Sequence, residues 1–135
     1  MPFMTWNDQL SVGVEALDND HKKMVSMVNI LYDGIVAGRG NEALQMIMDD
    51  LVAYTGYHFT REEDYFALTG YAEASEHKIE HDVMKERVKE IQLHYKDLSP
   101  VLTMGVMVFL KDWLIEHILG SDKRYGPHLN GKGFF

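Results

Sequence analysis

His77-Lys78-Ile79-Glu80-His81 places two imidazoles four residues apart. On a helix the two share one face, about 40° apart and roughly 6 Å along the axis, close enough to chelate one metal ion. His58 and Glu62 repeat the spacing upstream. His21 and His117 stand on two further stretches of helical period, with Asp122 just past the second. A buried imidazole has two nitrogens to satisfy, and a shared metal ion satisfies one on every ring at once. Five histidines and two carboxylates from four segments therefore read as a metal-ligand set rather than as separate core residues.

Positioning them takes four helices. The first is expected from about Asp18 to Ala37, with Asp18 as N-cap and Gly38 as stop. Its inward stripe runs Leu17, His21, Met24, Val25, Val28, Leu31. The second opens at Asn41, its expected N-cap, and ends before Gly70, with Leu44, Ile47, Met48, Leu51, Thr55, His58, Glu62 and Phe66 on one face. Its Arg61, Glu63 and Asp64 read as a solvated face. The third covers about Glu73 to Tyr95. The fourth is announced by Ser99-Pro100, an N-cap followed by proline at the first helical position.

Short loops between four such helices give an all-α, up-down-up-down four-helix bundle. The expected organisation is one domain over 1–135: an extended N-terminal arm (1–17) anchored by Trp6 and Val14, helices over 18–124, and an irregular tail (125–135) opened by Gly126-Pro127. His21 is early in the first helix, His58 and Glu62 late in the second, His77 and His81 early in the third, His117 and Asp122 late in the fourth. In antiparallel neighbours all seven fall at the same end. His117 and Asp122 are five residues apart, about 140° on a regular helix, so either the fourth helix ends near Gly120 or a π-type turn realigns them.

Composition narrows the rest. The chain has 135 residues, 25% charged and 46% hydrophobic, with a formal net charge of −8 and no cysteine. The charge argues against nucleic acid or anionic membrane as partner. The missing cysteines exclude disulfides, iron–sulfur clusters and thiolate zinc. No apolar run has the length of a membrane span and the first residues lack a signal-peptide pattern, so a cytoplasmic protein without membrane insertion is expected, and a monomer.

Seven ligands exceed one ion and suit two. If each carboxylate bridges, the side chains make nine bonds; a bridging oxide or hydroxide makes eleven of the twelve that two octahedra need, leaving one position open. Imidazole with bridging carboxylate and six-coordination favours iron, with manganese as the alternative. No Glu-x-x-His occurs, so the carboxylate-rich ferritin-like pattern is excluded.

His21, His58-x-x-x-Glu62, His77-x-x-x-His81 and His117-x-x-x-x-Asp122, in that order, resemble the signature of the hemerythrin family. The likeness extends over nearly the whole chain, in the manner of the single-domain bacterial members. It implies two Fe ions in an oxo- or hydroxo-bridged centre that binds O2 reversibly. One iron would take His77, His81 and His117, and the other, with the open position, His21 and His58; Glu62 and Asp122 would bridge. It also implies an apolar O2 pocket lined by Met24, Phe59, Trp113 and Leu114, with Tyr125 nearby. His94 and His128 fall outside the pattern and read as surface residues.

The function expected is oxygen transport, storage or delivery rather than enzymatic catalysis, with O2 as ligand and an oxygen-consuming enzyme as a candidate partner. Two alternatives stand beside it. One is an O2- or redox-sensing or iron-handling module on the same site, with peroxidase-like or nitric-oxide chemistry as variants; no fused signalling domain is evident in the sequence. The other is a zinc metallohydrolase in which His77, Glu80 and His81 form H-x-x-E-H, a pattern that leaves His21, His58, His117 and Asp122 unused.

Overall fold

The computed structural model describes residues 3–135; Met1 and Pro2, part of the expected arm, lie outside the described residues. Four helices, α1 (Glu15–Val36), α2 (Gly40–Thr69), α3 (Ala74–His94) and α4 (Pro100–His117), make an up-down-up-down bundle. Their apolar stripes meet along the axis: Leu17, Met24, Val28 and Leu31 of α1, Leu44, Met48 and Leu51 of α2, Met84 and Val88 of α3, Met107, Leu110 and Leu114 of α4. Among the described residues no helix is long and apolar enough to cross a membrane.

The helix stops follow the sequence. Gly38 (φ 76°) and Gly70 (φ 68°) take the left-handed conformation that glycine adopts without a Cβ penalty. The Gly70 N–H donates to Phe66 O at 2.8 Å and closes α2. Ser99 caps α4 by accepting from the Leu102 N–H, with Pro100 in the first turn.

Two helix starts differ from expectation. Helix α1 begins three residues early, at Glu15 after Val14. Asp18 then lies inside the first turn, and its carboxylate accepts from the Val12 N–H at 2.8 Å and from the Ser11 hydroxyl. It ties down the arm instead of capping the helix. Asn41 likewise lies inside α2, and its amide donates to Lys96 O and Leu98 O, 3.4 and 3.3 Å away, fastening the α2 start to the α3–α4 connection. Residue type signalled a polar anchor at both positions; the partner came from elsewhere in the fold.

The end of α4 takes the wide-turn alternative. Ile118–Asp122 is a π-helical turn, in which residues five apart stack along the axis. His117 and Asp122 thereby face the same way.

The expected irregular tail is instead a helix, α5 (Lys123–Gly131), running on from the π turn. Proline and glycine in a helix interior cost about 3 and 1 kcal/mol. Fully burying two side chains of this size returns about 1.5–3 kcal/mol each, and Tyr125 and Leu129 are both fully buried. Gly126 packs directly on the Val12 carbonyl, where any Cβ would collide. Asn130 donates to Gly13 O at 3.0 Å. Met4 pairs with Asn29 through both its N–H and its carbonyl, so α1 and α5 together clamp the arm.

Candidate metal centre

Past the apolar core, the end of the bundle near the α2–α3 connection gathers all seven predicted ligand side chains, each buried: His21 from α1, His58 and Glu62 from α2, His77 and His81 from α3, His117 from α4 and Asp122 from the π turn. They form two groups able to hold a metal ion, Glu62 with His77, His81 and His117, and His21 with His58, Glu62 and Asp122. Glu62 belongs to both. Asp122 also reaches both, because Oδ1 is 2.9 Å from His77 Nε2 and from His117 Nε2, while Oδ2 is 2.9 Å from His21 Nε2. Glu62 Oε1 is 2.9 Å from His58 Nε2 and 3.3 Å from His81 Nε2.

These contacts are short but lack hydrogen-bond geometry. Five imidazole Nε2 atoms and four carboxylate oxygens are buried with no hydrogen-bond partner. Buried polar atoms without partners are costly, and nine converging on one volume are accounted for together by cations. The spacing fits: neighbouring ligands in an octahedron with bonds of about 2.1 Å are about 3.0 Å apart.

The electrostatics agree. Burial opposes charge on Glu62 and Asp122, but the surrounding histidines hold both carboxyls well below the usual range. Burial likewise opposes an imidazolium at His58; Glu62, a hydrogen bond to Asp20 and the Asp122 charge outweigh it and push the pKa up to about 10. His77 rises to about 9 against burial, through its contacts with Asp122 and Glu62. The pocket thus holds two ionised carboxylates and calls for positive charge, as protons on the protein alone or as metal ions in their place. Tyr125 is buried beside them. Burial, then the charges of Asp122 and Glu62, push its phenol well above the ordinary value and keep it neutral.

Three acids that the sequence reading did not place in this role support the rings from behind: Asp20, which it passed over, Glu63, which it put on a solvated face, and Glu80, which it weighed as a hydrolase base. Asp20 Oδ2 lies 3.0 Å from His58 Nδ1, Glu63 Oε2 2.8 Å from His81 Nδ1, and Glu80 Oε2 3.7 Å from His117 Nδ1. Each comes from the preceding helix, so α1 braces α2, α2 braces α3, and α3 braces α4. The signal was adjacency: each acid is the immediate neighbour of a ligand in the chain. Arg61 and Glu63, expected on a solvated face, belong to this outer layer, Arg61 Nε lying 3.5 Å from Asp20. Glu80 also accepts from the Ser121 hydroxyl at 2.8 Å. Its carboxylate is on the Nδ1 side of His117, away from the converging Nε2 atoms, where it cannot serve as base to a metal-bound water.

Of the expected pocket residues, Met24, Trp113 and Leu114 line one apolar cavity of about 20 Å³ together with Met27, Val28, Leu51, Met84 and Leu110. Phe59 and Tyr125 lie outside that lining. Phe59 stacks on His81 at 3.9 Å between ring centroids, Trp113 on His117 at 4.4 Å, and Tyr125 tilts against His77. His94 is exposed as expected. His128 is only half-exposed, its Nε2 bonded to Thr69 O at 3.0 Å.

Comparison with known proteins points the same way. A family model described as the hemerythrin HHE cation binding domain matches residues 12–129. A bacteriohemerythrin of Methylococcus capsulatus is 33% identical over 131 residues, covering 96% of this chain and 99% of the relative. One from Clostridium acetobutylicum is 32% identical, covering 91% and 98%. The crystal structure of a wild-type hemerythrin superposes with a TM-score of 0.82 at 32% identity, covering 94% of this chain and 98% of the other. With the fold, the order of its buried histidines and the extent of these matches in agreement, the chain belongs to the hemerythrin family.

Proposed function

We propose that this chain holds two iron ions and binds O2 reversibly, serving oxygen transport, storage or delivery. One observation carries the reading: nine inward-facing donor atoms on seven buried side chains, without hydrogen-bond partners, in two groups that share Glu62. His77, His81 and His117 would hold one ion and His21 and His58 the other. Glu62 and Asp122 would bridge them; the approach of the two Asp122 oxygens to histidines of different groups supports this. Imidazole with bridging carboxylate is a donor set suited to iron. When bound, the iron pair supplies an open coordination position and the electrons that O2 draws on.

The chain's own residues do the rest. Asp20 and Glu63 accept from Nδ1–H of His58 and His81, which fixes the tautomer, turns each Nε2 inward and raises its basicity; Glu80, 3.7 Å from His117 Nδ1, adds its charge on the same side of that ring. Phe59 and Trp113 stack on His81 and His117 and prevent ring rotation. The cavity walled by Met24, Trp113 and Leu114 offers apolar space for a small neutral molecule and none of the polar partners a water needs. Such a site takes up O2 and keeps water from it, which suits a carrier that releases its cargo unchanged, including to an oxygen-consuming enzyme.

The test is an optical spectrum of iron-reconstituted, reduced protein without O2, after O2, and after O2 is removed. An absorption band that appears with O2 and disappears when O2 is withdrawn, over repeated cycles, is the expected result. A colour change that O2 removal does not reverse would refute reversible carriage.

A further inference from the structure

Helix α4 is apolar on the side that faces away from the bundle. Thr103, Met107, Leu110 and Leu114 point inward and are buried, whereas Val101, Leu102, Met104, Gly105 and Val108 point outward and are exposed. No charged residue occurs from Pro100 to Leu110. A surface helix ordinarily turns a polar face to water, and a helix apolar all round is normally covered. Beside this face runs a groove of about 290 Å³ between α3 and α4, lined by Ile91, Leu98, Leu102, Val106 and Phe109 with Arg87 and Glu90 at its rim.

Gly105 is at the centre of the outward face. Glycine weakens a helix interior relative to alanine, and nothing inside the fold calls for it here, because a Cβ at this position would meet no atom within 4 Å. Its neighbours make a shallow saddle, with Val101 and Val108 one turn to either side and Met104 and Leu102 on the flanks.

We infer that the outward face of α4 is a self-association surface, on which a second copy of this chain docks its own α4 in antiparallel fashion, crossing at Gly105. In that arrangement the interface is isologous. Val101 of one copy meets Val108 of the other at both ends, and the missing side chain at the crossing lets the two backbones approach. The exposures of Val101 (78%), Leu102 (57%), Met104 (49%) and Val108 (43%) correspond to roughly 400–500 Å² of apolar surface, at the size where a monomer's exposed patch marks an interaction site. Pairing two such faces buries roughly 800–1,000 Å², reaching at most the lower bound for a specific interface. The dimer is therefore weak, and the monomer expected from sequence gives way to it only at high concentration.

Charge favours a copy over a membrane. The chain carries −8, so two copies repel each other least where the surface is uncharged, as on this strip. Beyond the strip, exposed Lys96 stands at one end and exposed Asp112 at the other, so the antiparallel crossing sets Lys96 of each copy toward Asp112 of its mate. A helix that binds lipid would instead carry lysine and arginine along its polar flank.

The experiment is sedimentation velocity on the full chain from about 10 μM to 1 mM, the range in which a weak dimer populates, with neutral phosphatidylcholine vesicles in a parallel series. The weight-average mass should climb toward twice that of the chain. Val108→Glu and Gly105→Arg should hold it at the monomer value at every concentration. Circular-dichroism melts should show both variants as stable as the parent, since both side chains enter solvent. Parent protein that stays monomeric to the highest concentration overturns the inference. So do folded variants that still dimerise, and so does a chain that floats with the vesicles and never self-associates.

Discussion

Asp20→Asn separates the two ions of the proposed centre. Asp20 is buried, 3.0 Å from His58 Nδ1, and lies on no other ligand ring. Asparagine has nearly the same shape, so no cavity opens, and Arg61, partly exposed, can turn to water. What is lost is the charge on the acceptor. A hydrogen bond to a charged group contributes about 1.5–3 kcal/mol and a neutral one about 0.5–1.5, a difference of about 1–1.5 kcal/mol. Losing a carboxylate behind a ligating histidine typically weakens metal binding about 10- to 100-fold, or 1.4–2.7 kcal/mol. The two figures overlap near tenfold. The loss should fall on the ion held by His21 and His58 alone, because His77, His81 and His117 do not touch Asp20. Anaerobic Fe(II) titration against a competing chelator should thus change from two closely spaced binding events to two resolved ones, the second about tenfold weaker. Equal weakening of both, or no change in either, would refute the assignment of Asp20 as the brace of one ion.

Leu114→Ala enlarges the cavity that Leu114 shares with Met24 and Trp113. It should cost about 2–5 kcal/mol in chemical denaturation while leaving iron content intact. By admitting water it should hasten decay of the oxygenated band in stopped flow, and an unchanged decay rate would mark Leu114 as ordinary core. Glu62→Ala or Asp122→Ala removes a ligand common to both groups and should abolish the pair of ions together. Retention of two magnetically coupled irons in both variants would rule out bridging. The metal-free protein should have a pH optimum of stability. His58 is raised from 6.5 to about 10, so its contribution is full below pH 6.5 and disappears as pH rises toward 10. Glu62 and Asp122 are lowered from 4.5 and 3.8, so theirs is full above those values and is lost on acidification. Thermal melts should therefore peak near pH 5–6, and iron loading, which displaces the protons, should remove the alkaline decline; a melt that is flat from pH 6 to 9 without metal contradicts this.

The bundle was legible because its core obeys one period. Leu17, His21, Met24, Val28 and Leu31 alternate by threes and fours, as do the stripes of α2 to α4, and turn glycines such as Gly70 mark where they stop. The common depth of the seven ligands followed from short loops alone. What the sequence hid depends on partners distant in the chain. Asp18 and Asn41 look like caps because cap residues and long-range anchors are the same types; only the positions of Val12 and Leu98 decide between them. Gly126-Pro127 signals a break, and burial of Tyr125, packed against Phe66 and His77, and of Leu129 overrides it. Asp20 goes unread, Glu63 looks solvated and Glu80 fits H-x-x-E-H, because the imidazole each one faces belongs to another helix. The π turn was half legible, since the spacing of His117 and Asp122 demanded either a wide turn or an end.

The claim on which the rest depends is a site for two ions rather than one. Anaerobic titration of metal-free protein with Fe(II), followed to saturation and checked by elemental analysis, measures it directly. The two groups of donors sharing Glu62 predict saturation at two irons per chain, with His94→Ala, at an exposed position, leaving that number unchanged. Saturation at one iron, or preference for a single zinc, would contradict the account.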